Sequence, residues 1–344
     1  MADDIKSFPK QFEFEPIIEN AENLKPAKKF IVAGMGGSNL ATGLIRVGIP
    51  KIELIIHRDY GLPDWPDSSF KDTLVIASSY SGNTEETLDA FTIAISKKVN
   101  LAVLTAGGKI LELAKKHKIP YLIMPGGIEP RSAVGYSIKS LLKLMGEEKA
   151  LTELTSLAGI LSVPKAQKEG SDLAEKLRGA APVVYASLRN REIAYNWKIR
   201  LNETGKIPAF FNLFPELNHN EMNSYAAGKG TDHLSKQFRF IFIKDGDHPR
   251  IKLRMEILKE LFEKKGLKVF GHTLTGKTIW EKIFSSIMVA DWTSYYTSTG
   301  NGLSAAEVPM VEEFKALLVK RGGKYGKSAS REGKSARSRR SSGR

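Results

Sequence analysis

The sequence predicts an α/β protein of two doubly wound parallel-sheet domains joined by helices, and three observations carry that prediction. Short apolar runs recur along the 344 residues, each followed by a polar or Gly-rich turn and then by a stretch of helical period. The runs are continuously apolar rather than alternating, as expected of strands buried on both faces beneath crossover helices. The same order of elements then repeats in the second half of the chain, the pattern of a second α/β unit.

In the first half, strands are expected at Phe30–Ala33, Glu53–Ile56, Leu74–Ala77, Leu101–Leu104 and Tyr121–Met124, with helices at Ser38–Val47, Thr84–Lys97 and Leu111–Lys118. Residues Ser137–Gln167 are helical in period and poor in strand signals. The boundary is therefore set near residue 150, giving domains of 1–150 and 151–320. In the second half, strands are expected at Pro182–Ala186, Ala209–Leu213, Phe238–Ile243 and Leu267–Gly271, and helices at Arg189–Asn202, Pro249–Lys264, Thr278–Tyr296 and Ala305–Lys320.

The net charge of +14 invites a nucleic-acid reading until its location is examined. Residues 321–344 hold nine basic residues and one acid, leaving +6 on the preceding 320. That stretch is also rich in Gly and Ser with a single aromatic, Tyr325. It lacks the apolar area to order itself and reads as a disordered basic tail, solvated rather than bound to phosphate backbones. Cysteine is absent, which excludes disulfides, thiolate metal sites and a cysteine nucleophile. No His-x-x-x-His or clustered carboxylate spacing appears, so neither a metal nor another cofactor is expected. The N-terminal residues lack the basic start and apolar run of a signal peptide, and the longest uncharged stretch, Phe30 to Ile45, is too short to cross a bilayer. A cytoplasmic protein without membrane contact is expected.

Two turns at the carboxyl ends of first-half strands carry the chemistry. Gly34-Met35-Gly36-Gly37-Ser38-Asn39 follows the first strand, and Ser78-Ser79-Tyr80-Ser81-Gly82-Asn83-Thr84 follows the third. Ligands of open α/β sheets bind at such ends, and glycine lets the backbone approach them closely. The second turn offers the hydroxyls of Ser78, Ser79, Ser81 and Thr84 where a helix begins, a setting that favours phosphate. Helix capping would need only one of them. A dinucleotide fingerprint is discounted because Asn39 stands where its third glycine belongs. Gly271-His272-Thr273-Leu274-Thr275-Gly276-Lys277-Thr278 formally matches a phosphate-binding loop, but too little chain follows it to build the rest of a nucleotide-binding sheet.

In the second half, Glu203 ends a predicted helix, where a carboxylate faces the unfavourable end of the dipole. That cost suggests a base rather than a stabilising residue. His219 follows a Pro-containing turn among Asn218, Asn220 and Glu221. A phosphate cradle, a carboxylate, a histidine and basic residues suit proton transfer beside a carbonyl in a phosphorylated small molecule.

These residues resemble a known family. Gly34-Met-Gly-Gly-Ser38, Ser79-Tyr-Ser-Gly-Asn-Thr84, Pro130-Arg131-Ser132, Asn202-Glu-Thr-Gly205 and Pro215-Glu-Leu-Asn-His-Asn-Glu221 are similar to the motifs of the bifunctional phosphoglucose/phosphomannose isomerases, within the sugar-isomerase (SIS) domain superfamily. The match runs in order from about residue 25 to 320. The resemblance implies two flavodoxin-like SIS domains, a homodimer, no metal, and aldose–ketose interconversion of glucose, fructose and mannose 6-phosphates through an enediol. It implies that Gly36, Gly37 and Ser38 border the sugar while Ser79, Ser81 and Thr84 hold the phosphate. Glu203 is implied as the proton carrier between C1 and C2, Arg131 as the group facing the enediolate, and His219, given by the neighbouring subunit, as an aid to ring opening. Lys315, in Val311-Glu-Glu-Phe-Lys315, matches the lysine of the family's final helix. From Tyr296 to Val308 the chain departs from the family's alanine-rich helix end and Asp-Pro. The alternative from another class is a sugar-phosphate-binding regulatory module without catalysis.

Overall fold

The computed structural model describes residues 1–225 and 228–321. Residues Met1–Ala305 form one compact unit, and a second begins at Ala306. The chain opens with helix α1 (Ala2–Ser7) and a two-residue strand β1 (Ile18–Glu19), then alternates: β2 (Lys29–Ala33), α2 (Leu40–Gly48), β3 (Glu53–His57), β4 (Thr73–Ser79), α3 (Glu85–Ser96), β5 (Asn100–Thr105), α4 (Gly108–Lys116) and β6 (Tyr121–Ile123). Four helices follow without a strand: α5 (Val134–Met145), α6 (Glu148–Thr155), α7 (Leu157–Ile160) and α8 (Val163–Leu177). Alternation resumes with β7 (Ala181–Ser187), α9 (Arg191–Glu203), β8 (Phe210–Phe214), α10 (Asp232–Ser235), β9 (Phe238–Lys244), α11 (Pro249–Lys264), β10 (Lys268–Thr273) and α12 (Ile279–Gly300).

Two sheets result, in the order β1-β6-β5-β4-β2-β3 and β10-β9-β7-β8. Every pairing is parallel except that of β1 with β6. The predicted doubly wound α/β class holds, and each of the nine expected strands is present. Strand β1 is the addition, an edge pairing of two residues that leaves no readable period.

Continuous apolar runs are explained by burial on two sides. In β4, Leu74 and Ile76 join one core while Val75 and Ala77 join another beneath Phe91 of α3 and Ile110 of α4. In β7, Val184 and Ala186 face the same inner core as Leu74, and Val183 and Tyr185 face a third, roofed by Met255, Leu258 and Phe262 of α11. The inner core also takes residues of α2, α5, α9 and α12, so one apolar layer is shared by both sheets.

Helix limits near the C-terminus differ from the expected ones by four residues. Helix α12 runs four residues past Tyr296, and the following helix begins at 309 instead of Ala305. Pro309 is the cause, since it suits the first helical position and disfavours helical backbone at Val308 before it. Helix 309–321 belongs to the second unit. The basic tail expected over 321–344 lies, from residue 322 on, outside the described residues. Among the described residues no helix is long and apolar enough to cross a membrane.

The phosphate-loop lookalike is accounted for locally. Its first residues, Gly271-His272-Thr273, are strand β10. Thr278 accepts from the Glu281 N–H at 3.1 Å while Glu281 accepts from the Lys277 N–H at 2.6 Å. That reciprocal cap uses up donors a phosphate would need. Beside it, His272 Nε2 lies 2.9 Å from Ser286 Oγ, which also accepts from Trp197 Nε1 at 3.0 Å. Burial pushes the His272 imidazole down to about 4 from the usual 6.5. Between those values the unfolded chain takes a proton that the folded one refuses, so stability falls as pH drops through that window. A His272→Gln variant is expected to lose less of its melting temperature between pH 7 and 4.5 than the wild type, measured by calorimetry; an equal loss in both refutes the assignment.

Candidate active site

The strands of the first sheet reverse direction of winding between β2 and β4, and the turns after these two strands are the Gly-rich and Ser-rich ones. They are bonded to each other. The Ser78 hydroxyl donates to the Ser38 carbonyl at 3.0 Å, and the Tyr80 N–H donates to Ser38 Oγ at 2.9 Å. A Cβ on Gly34 would stand 2.5 Å from the Ser78 carbonyl oxygen, so only glycine lets the turns approach this closely.

Within the Ser-rich turn, Ser79 Oγ and Thr84 Oγ1 are 2.9 Å apart, and Ser79 Oγ accepts from the Gly82 N–H at 3.1 Å. Ser81 is exposed, its hydroxyl accepting from the Asn83 N–H at 3.3 Å. Thr84 occupies the N-cap of α3 yet makes no side-chain cap bond. Its hydroxyl is turned to Ser79 instead, which leaves the first N–H groups of the helix facing outward for an anion.

The Gly-rich turn leads to the charged pair. Gly36 is exposed in the left-handed region at φ 49°. Gly37 packs on the turn Pro130–Ser132, where a Cβ would meet the Arg131 nitrogen at 2.7 Å and the Pro130 carbonyl carbon at 2.8 Å. Arg131 is 3% exposed and committed on all sides. Its Nε donates to Thr204 Oγ1 at 2.9 Å, Nη1 to Glu129 Oε2 at 3.0 Å, and Nη2 to the Ala305 carbonyl at 3.0 Å. Glu203 Oε2 lies 3.7 Å from Arg131 Nη1 and remains about a third accessible. Gln11, near the N-terminus, braces the same turn by donating to the Ser132 carbonyl at 2.7 Å and accepting from the Gly135 N–H at 2.9 Å.

Glu203 is the last residue of α9, as predicted. Lys206, three residues on, donates its ammonium to the Glu203 backbone carbonyl. The structure thus brings Gly36, Gly37, Ser38, Ser79, Ser81, Thr84, Arg131 and Glu203 into one strip of touching turns. His219 ends a short helical turn, Glu216–His219, after edge strand β8, is exposed, and its side chain takes part in no hydrogen bond among the described residues. Glu221, two residues on, is tied down by Tyr185 at 2.5 Å and by Asn212. Burial raises the phenol of Tyr225, which also reaches Glu221 at 3.4 Å, to about 12. Lys315 stands on helix 309–321, exposed and paired with Glu312 at 2.8 Å within its own helix. Thr204, Glu129, Gln11 and the Ala305 carbonyl were not anticipated. Thr204 alone had a signal, its place beside Glu203.

Removing a hydroxyl from the cradle takes a hydrogen bond from a bound anion. Ser79→Ala and Thr84→Val are each expected to weaken binding of inorganic phosphate by roughly 10- to 100-fold, the worth of a bond to a charged group. Titration calorimetry checks this; unchanged affinity in both variants removes the turn as an anion site.

The model of the bacterial phospho-glucose isomerase C-terminal SIS domain matches residues 166–318. The chain is 31% identical over 321 residues to the bifunctional phosphoglucose/phosphomannose isomerase of Aquifex aeolicus (strain VF5), covering 92% of this chain and 97% of that protein. It is 36% identical over 289 residues to the bifunctional phosphoglucose/phosphomannose isomerase of Caldicellulosiruptor bescii, covering 79% and 84%. Among solved structures, glucosamine-6-phosphate deaminase from Thermotoga maritima aligns with a TM-score of 0.65 at 16% identity over 90% of this chain and 95% of that one, a likeness of fold alone. With two relatives above 30% identity over most of both chains, the chain belongs to the bifunctional phosphoglucose/phosphomannose isomerase family.

Proposed function

We propose that the chain interconverts glucose 6-phosphate, fructose 6-phosphate and mannose 6-phosphate through an enediol. The observation that carries this reading is the Glu203 carboxylate, 3.7 Å from a buried guanidinium and on the same strip as the hydroxyl cradle. A binding module needs only the cradle.

The sugar's phosphate sits at Ser79, Ser81 and Thr84 and the N-terminus of α3, with Gly36, Gly37 and Ser38 along the sugar. Glu203 takes the proton from C2 of the open-chain aldose and returns it to C1, while the hydroxyl proton passes from O2 to O1. The intermediate enediolate carries its negative charge on oxygen. Arg131 is held ready for that charge by fixed partners, so no reorganisation is needed when it develops. His219, exposed on its own chain, is given to the site of a second copy in a homodimer, where it assists ring opening by moving a proton between O1 and the ring oxygen. No redox group enters this balance, because the proton and electron pair lost at C2 are regained at C1.

Glu203→Gln keeps the shape of the side chain but cannot accept the proton. Its kcat is expected to fall by about 10²–10⁴-fold, with a non-reacting sugar-phosphate analogue still bound; a coupled assay from fructose 6-phosphate, reading glucose and mannose 6-phosphates as separate products, measures it. Full activity in this variant overturns the reading and leaves the regulatory module. Sharing of the site is tested by mixing two inactive variants, Glu203→Gln and His219→Ala, under conditions that exchange subunits. Half of the hybrid sites then hold both native residues, so the mixture is expected to regain roughly a quarter of wild-type activity. No recovery places His219 in its own chain's site or outside catalysis.

A further inference from the structure

Arg200 lies three residues before Glu203 on α9 and is fully buried. Its Nε donates to Asp291 Oδ1 of α12 at 2.6 Å, its Nη1 to Asn196 Oδ1 at 2.8 Å, and its Nη2 to the Arg131 carbonyl at 3.5 Å. Among the described residues Asp291 is the carboxylate within ion-pair distance of it. Burial pushes the Asp291 carboxyl up, and Arg200 pulls it back. The backbone of Arg200 is engaged too, its carbonyl accepting from the N–H groups of Thr204 at 2.8 Å and Gly205 at 3.0 Å.

One buried residue therefore holds both halves of the charged pair. Its side chain is bonded to the backbone of Arg131. Its backbone closes the helix end that presents Glu203 and sets the Thr204 hydroxyl on Arg131 Nε. Arg200 has no accessible surface through which to touch a sugar. Nor does stability require it, since apolar residues of similar volume commonly replace a buried ion pair without loss.

We propose that the Arg200–Asp291 pair, acting through Thr204, is a positioning device that sets the spacing and orientation of Arg131 against Glu203. The proposal rests on the roles given to those two residues above. Helix α12 thereby governs the site from behind, with no atom in it.

The test is the double variant Arg200→Met/Asp291→Leu, which removes both charges together and leaves neither unpaired. It is expected to fold with a melting temperature near that of the wild type and to lose about 10- to 100-fold in kcat, the usual penalty of a misplaced reacting group, with KM for fructose 6-phosphate within about twofold. A hydroxamate mimic of the enediolate is expected to bind more weakly by the same factor as kcat, and inorganic phosphate to bind as before. A double variant that keeps wild-type kcat at wild-type stability overturns the proposal. If it does not fold, Asp291→Asn, which keeps the volume and one acceptor, is read instead: unchanged kcat overturns the proposal, and lowered kcat with intact KM supports it. Failure of the isomerase reading looks different, because the wild type itself would then not interconvert the sugar phosphates.

Discussion

A guanidinium buried to 3% exposure needs an acceptor for nearly every one of its donors, and that requirement on Arg131 organises the molecule around it. An unpaired charge in that position would cost several kcal/mol or more. The acceptors come from Glu129 beside it, Thr204 at the end of α9, and the Ala305 carbonyl beyond α12. The farthest of them stands 174 residues from Arg131 in the chain. The turn, the helix end and the loop must all arrive before Arg131 is satisfied, and Glu203 is then left facing it.

The two sheets share a winding rule but use it differently. In each, the chain reverses at its first long strand, and the loops flanking that reversal form a crevice. In the first sheet these loops carry hydroxyls and glycines. In the second, the loops after β7 and β9 carry Arg189 and Asp245, which lie 3.8 Å apart, and Lys282 bonds Asp245 at 2.7 Å. Burial would raise the Asp245 carboxyl, yet the hydrogen bond from Lys282 holds it below its usual range. At this second reversal the loops thus carry paired charges rather than hydroxyls, and the second half of the chain reaches Arg131 through Thr204 at the end of α9.

Most of the fold was legible because buried parallel strands leave continuous apolar runs, and nine of them did. The two-residue strand β1 left none, and Pro309 overrode the helical period that begins at Ala305. The cradle could be read from hydroxyl density in Ser78–Thr84, and Glu203 from its awkward place on the dipole. What surrounds them could not. Gln11 and Ser132 meet across 121 residues, Arg131 and Thr204 across 73, and Arg200 and Asp291 across 91. Such contacts follow from tertiary packing and leave no local period or spacing. His219 shows the converse, a residue evident in the motif whose single-chain surroundings explain nothing of its presence.

The apolar layer common to both sheets has a mechanical consequence. Leu74 of β4, Val184 of β7 and Ile287 of α12 belong to the same packed core. Two halves that share such an interior cannot swing apart like jaws, because opening them would expose it to water. The ends of β4 and α9, which carry Ser79 and Glu203, are thus anchored on one interior, and the spacing between them is set by packing rather than by a hinge.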